Sequence, residues 1–504
     1  MKSRSKKATL NIIVLICSEL VSFVCGLILP RLILSNFGST YNGVISSTNQ
    51  FLKFIAVFRL GIAGSTRVAL YKALADKDNN KISGIINATE EYMRKIGIGL
   101  IFYIIILALV YPHISDTGVD VISTSILILI IGASSFAQYF FGITYQTLLS
   151  ADQCQYIYNG ITIVQTIANT IIASALILMG GNIFIVRLGS AAVYVTTPIL
   201  LRLYVRKRYS IDRSVKSDKS GLKGRWDVMA HSVANIVHDN TDVIVLTLFS
   251  NIKIVSVYTV YYLVIGGLQS LMKVFTTGLE VAFGSMFAHG EIENANRNLD
   301  IYEYLIYAFC SVIYSCALLL ILPFVGLYTS GVNDVEYIVP LFAYLALIAS
   351  MAQCIRQPYL IIVQAAGHYK GTRNGAIMEA TINIVLSVSL VIRFGLIGVT
   401  IGTLVANCFR TIQYVTYLGN HILNRSLLKP AKMILWLAFN ELLILSICHC
   451  IQSFVTIESW ITWVLCGIVF FAIALTIILL TSVIFCRREL IRAFRIMLRM
   501  APKR

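Results

Sequence analysis

Residues 44–65 read VISSTNQFLKFIAVFRLGIAGS, and residues 264–285 read VIGGLQSLMKVFTTGLEVAFGS. At an offset of 220, Val44, Ile45, Lys53, Gly64 and Ser65 meet Val264, Ile265, Lys273, Gly284 and Ser285. A polar pair precedes each lysine, Asn49-Gln50 in one stretch and Gln269-Ser270 in the other. Further along the offset becomes 215, where Asn159-Gly160 meets Asn374-Gly375 and Gly180 meets Gly395. Gly118-Val119-Asp120 echoes Gly331-Val332-Asn333 near offset 213. Single identities are weak in an apolar chain, but their order and near-constant spacing read as a duplicated half. Duplicated membrane-spanning halves point to a transporter with its site where the halves meet.

The composition requires a membrane. Mean hydropathy is +0.79, and 57% of residues are hydrophobic against 13% charged. Apolar runs of about 20 residues, enough to cross a ~30 Å hydrocarbon core, recur throughout. They predict about fourteen spans: 9–33, 41–70, 96–112, 119–149, 157–179, 183–205, 227–249, 254–288, 304–328, 336–365, 374–393, 396–418, 431–452 and 460–485. Continuous apolar runs do not fit the alternation of a barrel, so the spans are helices. The expected fold is therefore all-α and polytopic: two pseudo-symmetric six-helix lobes plus two extra C-terminal helices. Residues 1–205 form the first lobe, 206–226 a basic linker, 227–420 the second lobe, 421–485 the extra pair and 486–504 a basic tail.

The net charge of +17 marks sidedness and is not a nucleic-acid footprint. With the N-terminus inside, the inside segments hold 30 Lys and Arg, whereas the outside ones hold Lys253 and Arg393, with Arg31 near the rim. That bias places both termini in the cytoplasm. The basic residues 2–7 precede a run long enough to span, with no clear small-residue cleavage site, so this run reads as a span and not as a removed leader. In the tail, Arg488, Arg492, Arg495 and Arg499 share one helical face and Ile491, Phe494 and Leu498 another, which predicts an amphipathic helix on anionic membrane lipid.

Polar groups inside the spans carry the functional argument, because a mid-membrane charge costs about 2.5–3.5 kcal/mol on insertion scales. Span 1 places Asn11, Ser18, Glu19 and Ser22 on one face, and span 7 repeats the spacing with His231, His238, Asp239 and Asp242, joined by Asn235. Span 2 carries Asn49, Gln50 and Lys53, with Arg59 about 120° away, at about 100° per residue, and Gly61 and Gly64 as candidate bends. Span 8 carries Gln269, Ser270 and Lys273, with Glu280 beyond. Lys53 and Lys273 are thus pseudo-equivalent cations suited to an anionic ligand, and Arg59 is suited to bidentate phosphate binding. The competing reading is a scaffold in which they pair with Glu19, Asp239 or Glu280. The carboxylates Glu19, Asp239 and Asp242 either pair in that way or bind a coupling H⁺ or Na⁺. Arg187, Arg356, Glu379, Arg410 and Glu441 show no shared stripe.

Signals of soluble chemistry are absent. No P-loop or zinc-protease motif occurs, and no catalytic residues, metal ligands or cofactor are expected. The eleven cysteines lie mostly in apolar runs and read as small buried hydrophobes. Outside loops are short, which argues against a glycan polymerase or acyltransferase. The loop Asp76-Lys77-Asp78-Asn79-Asn80 lacks the basic motif of major-facilitator transporters.

Pro30-Arg31, Phe37-Gly38, Asn42-Gly43, Leu60-Gly61 and the stretch Ala69-Leu70-Tyr71-Lys72-Ala73-Leu74-Ala75 followed by Asp78 resemble the Wzx-type polysaccharide flippases. These belong to the multidrug/oligosaccharidyl-lipid/polysaccharide exporter superfamily. Arg59 stands where many relatives are acidic, and Ala73 where they carry Pro. The resemblance implies two helical lobes alternating between inward- and outward-open states. It implies an undecaprenyl-pyrophosphate-linked oligosaccharide as cargo, moved across the bacterial cell membrane with no bond made or broken. A glycan polymerase and glycosyltransferases are implied as partners. The alternative within the superfamily is a multidrug/cation antiporter, which the cationic stripes disfavour.

Overall fold

The computed structural model describes residues 2–54, 56–137, 142–219, 240–276 and 279–500. Among them no strand occurs. Ten helices among the described residues are long and apolar enough to cross a membrane. Two of these each hold two expected spans, and two shorter apolar helices, Val121–Ala137 and Asn240–Phe249, fall in expected spans 4 and 7. The protein is an all-α, multi-pass membrane protein.

Two compact units divide the chain: Met1–Thr259 with Gly331–Val335, and Val260–Ser330 with Glu336–Arg504.

In the first unit, α1 (Lys2–Lys53) contains a break at Gly38 (φ 78°, ψ 178°), a conformation essentially reserved for glycine. The amide freed beside it is used, since Ser39 N donates to Asp334 Oδ2 at 2.9 Å and Ser39 Oγ to Asp334 Oδ1 at 2.5 Å. Gly43 lies so close to the Ile252 carbonyl that a Cβ would overlap it. Neighbouring bonds fix that approach: Asn42 Nδ2 donates to Ser256 Oγ at 2.8 Å, and the Ser47 and Thr247 hydroxyls meet at 2.7 Å. Helix α2 (Ala56–Ala75) turns into α3 (Asn79–Ile114) through Asp78, which accepts from Lys81 N at 3.0 Å as an N-cap. Leu70 and Ala73 sit fully buried in a core shared with Ile85, Leu148 and Leu201. The stretch that carries the family resemblance is therefore a packed helical corner. Helices α4 (Val121–Ala137), α5 (Ile143–Ala151), α6 (Gln155–Leu178), α7 (Ile183–Arg208) and α8 (Asn240–Phe249) complete the unit. The linker's first part lies along α3, where Asn87 Nδ2 donates to the Asp212 and Val215 carbonyls, both at 3.0 Å.

Helix α9 (Ile252–Thr276) begins in the first unit and ends in the second, followed by α10 (Leu279–Ala288) and α11 (Ile292–Tyr328). Helices α12 (Pro340–Ile355) and α13 (Gln357–Ala365) are one expected span broken at Arg356, where Pro358 starts the second piece. Helix α14 (Tyr369–His421) contains a break at Gly395 (φ 52°, ψ −126°). The extra pair, α15 (Leu428–Gln452) and α16 (Trp460–Phe485), packs on α11, with Tyr304 OH donating to Ser482 Oγ at 3.0 Å and Trp463 Nε1 to the Leu320 carbonyl at 3.1 Å. The tail forms the expected helix, α17 (Arg487–Met500).

Backbone conformation repeats at the offsets seen in sequence. Positive φ occurs at Gly118 and Gly331 and at Gly180 and Gly395, the pairs already matched by residue type. It also occurs at Lys77 and Gly290 and at Gln153 and Gly367. In these last two pairs the following amide reaches back five residues: Asp78 N to Ala73 O, Glu291 N to Met286 O, Cys154 N to Leu149 O and His368 N to Val363 O. These are left-handed helix C-caps, so helix ends recur at the spacing of the sequence repeat even where residue types have diverged.

Candidate functional site

The two lysines lie at matching positions of the sequence repeat. Helix α1 stops at Lys53 and α2 starts at Ala56. Lys273 lies near the end of the described part of α9, and residues 277–278 before α10 are outside the described set. Lys53 thus lies in the last turn of α1, where the negative end of the helix dipole favours a cation. After Lys53, Phe54 N turns back to Phe51 O at 3.3 Å. Tyr103 OH donates to the same carbonyl at 3.0 Å, supplying a partner for a helix-end acceptor. This corrects the bend expected at Gly61 and Gly64, because α2 runs through both as regular helix.

Lys53 is exposed, and so is Asn49 four residues earlier on the same helical face. Gln50 is half-buried, and its Oε1 has no hydrogen-bond partner among the described residues. Glu19 is exposed on α1. Asp242 is buried and accepts from Tyr258 OH at 3.1 Å. In the second unit, Gln269 Nε2 donates to Gln353 Oε1 at 2.8 Å and to Ser350 Oγ at 3.2 Å, so its amide nitrogen is held by α12. Arg59 and Lys273 lie on described helices, but their side chains are outside the described set. Asp239, with His231, Asn235 and His238, lies outside the described residues.

Three charges without a common stripe prove to be neighbours. Arg356 Nη1 reaches Glu379 Oε1 at 2.5 Å, and Arg410 Nε reaches Glu379 Oε2 at 3.3 Å. Arg410 also donates to Thr372 O at 2.9 Å and Tyr414 OH at 2.6 Å, with its guanidinium 4.1 Å over the Tyr414 ring. The sequence signal was Gln357-Pro358, since a proline at a helix start marks the break that turns Arg356 inward. At offset 215 the first half carries Val164 and Val195 opposite Glu379 and Arg410, so this network belongs to one half alone. A second network joins Arg425 to Asp300 at 2.7 Å and to Glu303, which also accepts from Tyr359. Glu441 accepts from Ser315 Oγ at 2.8 Å.

All eleven cysteines are free. Cys17, Cys408 and Cys450 are exposed, which corrects the expectation that they are buried. No cluster of metal-ligating residues occurs among the described residues.

No family model matches the chain, and no curated protein matches it. Solved structures do. The lipid II flippase MurJ in an inward closed conformation matches with a TM-score of 0.73 at 16% identity, over 95% of this chain and 100% of that one. The fold is that of MurJ. The Vibrio cholerae MATE transporter VcmN matches at 0.59 and 16% identity, over 84% of this chain and 100% of that one. A MOP superfamily transporter from Pyrococcus furiosus matches at 0.58 and 12% identity, over 84% and 97%. At these identities the likeness is one of fold.

Proposed function

We propose that the chain is a Wzx-type flippase. Its cargo would be an undecaprenyl-pyrophosphate-linked oligosaccharide, moved by alternating access from the inner to the outer leaflet of the bacterial cell membrane for surface polysaccharide biosynthesis. The observation that carries this reading is Lys53, exposed in the last turn of α1 beside Asn49 on the same helical face, with Lys273 at the matching position of the sequence repeat on α9. A cation in that setting suits a diphosphate better than a lipophilic cation. The fold likeness extends over more of this chain for a lipid II flippase than for the MATE and archaeal transporters named above. Arg59, Asn49 and Gln50 are assigned to the head group. Gln269, held by Gln353 and Ser350, is assigned to the same role through its remaining oxygen. Glu19, Asp239 and Asp242 are assigned to charge pairing or to a coupling H⁺ or Na⁺. Both termini are assigned to the cytoplasm, and a glycan polymerase and glycosyltransferases are the expected partners.

The test is reconstitution in liposomes carrying a polyprenyl-pyrophosphate oligosaccharide on one leaflet, with and without pH and Na⁺ gradients. Chemically unchanged cargo appearing on the other leaflet supports the reading. Cleaved or extended cargo would make the chain an enzyme. The multidrug/cation antiporter is the second reading, because MATE transporters share the fold. Export of a lipophilic cation from the same liposomes, without glycan-lipid movement, would favour it.

A further inference from the structure

A cavity of about 730 Å³ in the second unit lies among the start of α11, the first turns of α15, the end of α16 and α17. Its lining has five cations against three carboxylates. Two of those carboxylates are already engaged: Asp300 accepts from Arg425 at 2.7 Å and from Lys429 at 3.0 Å, and Glu303 accepts from Arg425 and Tyr359. Lys432, Arg488 and Arg492 remain on the lining, exposed and outside any ion pair among the described residues. The wall beside them is aromatic. The Phe439 and Phe485 rings lie 6.0 Å apart edge-on, Trp436 lines the same wall, and the two phenylalanines are 48% and 63% exposed.

We propose that this cavity binds one resident anionic glycerophospholipid. Its phosphate is held by Lys432, Arg488 and Arg492, and its acyl chains run along Phe439 and Phe485. A row of cations beside an apolar aromatic wall matches a molecule that has an anion at one end and hydrocarbon at the other. The two arginines come from a helix whose Ile491 and Phe494 are also exposed, at 41% and 59%, as expected of a segment lying at a membrane surface. The bound lipid would tie α17 to α15 and offset one of the two excess positive charges of the lining. The proposal is independent of the transport reading, because it concerns bound lipid and not cargo movement.

Native mass spectrometry of the full chain in detergent tests it, with phosphatidylglycerol and phosphatidylethanolamine of identical acyl chains. Wild type is expected to prefer phosphatidylglycerol by about tenfold or more, and Lys432→Gln/Arg488→Gln/Arg492→Gln to bring the ratio near one. The charge-retaining Lys432→Arg/Arg488→Lys/Arg492→Lys is expected to keep the preference, and millimolar inorganic phosphate to leave the lipid in place. Should the triple variant not fold, Lys432→Gln alone is expected to give a partial loss. No preference in wild type, or an unchanged preference in the Gln variants, overturns the proposal. Displacement of phosphatidylglycerol from this cavity by a polyprenyl phosphate at equal concentration overturns it as well, since the site would then belong to the cargo.

Discussion

Lys53 and Glu379 illustrate two uses of charge in a membrane protein. Lys53 is exposed at a helix end. Glu379 is shared by Arg356 and Arg410, whose side chains are 10% and 3% exposed, and removing it strands two guanidinium groups. Glu379→Ala is expected to cost about 3–5 kcal/mol, read as a lowered thermal unfolding midpoint of the purified protein. A midpoint equal to wild type would mean that the triad does not hold the unit together. Asp152 anchors a smaller arrangement outside the spans, accepting from Tyr209 OH at 2.7 Å and lying 3.4 Å from Lys7 Nζ. Burial, and then the Asp152 carboxylate, pushes the nearby Cys154 thiol up. A raised thiol pKa means less thiolate at neutral pH, so Cys154 is expected to label slowly with maleimide and to speed up as pH rises. Asp152→Asn is expected to speed labelling at fixed pH, and an unchanged rate would assign the protection to burial alone.

Helices end in this chain where the backbone needs conformations that few residues supply. Gly395 has φ 52° and ψ −126°, and Gly395→Ala is expected to destabilise by at least about 1 kcal/mol. Gly160 lies inside α6 with open space where a Cβ would stand, so Gly160→Ala is expected to be neutral or stabilising by about 1 kcal/mol. Comparing the two unfolding midpoints checks the assignment, and equal shifts would contradict it. These glycines also explain how far the fold was legible. Gly118 with Gly331, and Gly180 with Gly395, were visible as repeats because both members of each pair are glycine at a positive φ. Lys77 with Gly290, and Gln153 with Gly367, were not, because one partner in each pair tolerates the same left-handed turn without being glycine. The break after Lys53 was hidden for a different reason. Part of its support comes from Tyr103 on another helix, whereas the local glycines at 61 and 64 pointed elsewhere. Beyond the break signalled at Gln357-Pro358, the Arg356–Glu379–Arg410 triad was not legible, because its members stand on three different segments and helical periodicity relates residues within one segment only.

The proposal that the chain is a transporter draws on the sequence repeat, with a lysine at the matching position of each copy, and on a fold shared with a lipid II flippase and a MATE transporter. Cargo charge is the property that discriminates the two proposed readings. Expression of the protein in a drug-sensitive host is expected to leave susceptibility to lipophilic cations unchanged. A reproducible gain in resistance would favour the antiporter. The most direct test of the flippase account is leaflet-to-leaflet movement of a polyprenyl-pyrophosphate oligosaccharide in liposomes, comparing wild type with Lys53→Gln/Lys273→Gln at matched protein abundance. The account predicts movement by wild type and its loss in the double variant, with the folded yield unchanged. Movement by both at the same rate would contradict the assignment of the two lysines to the anionic head group.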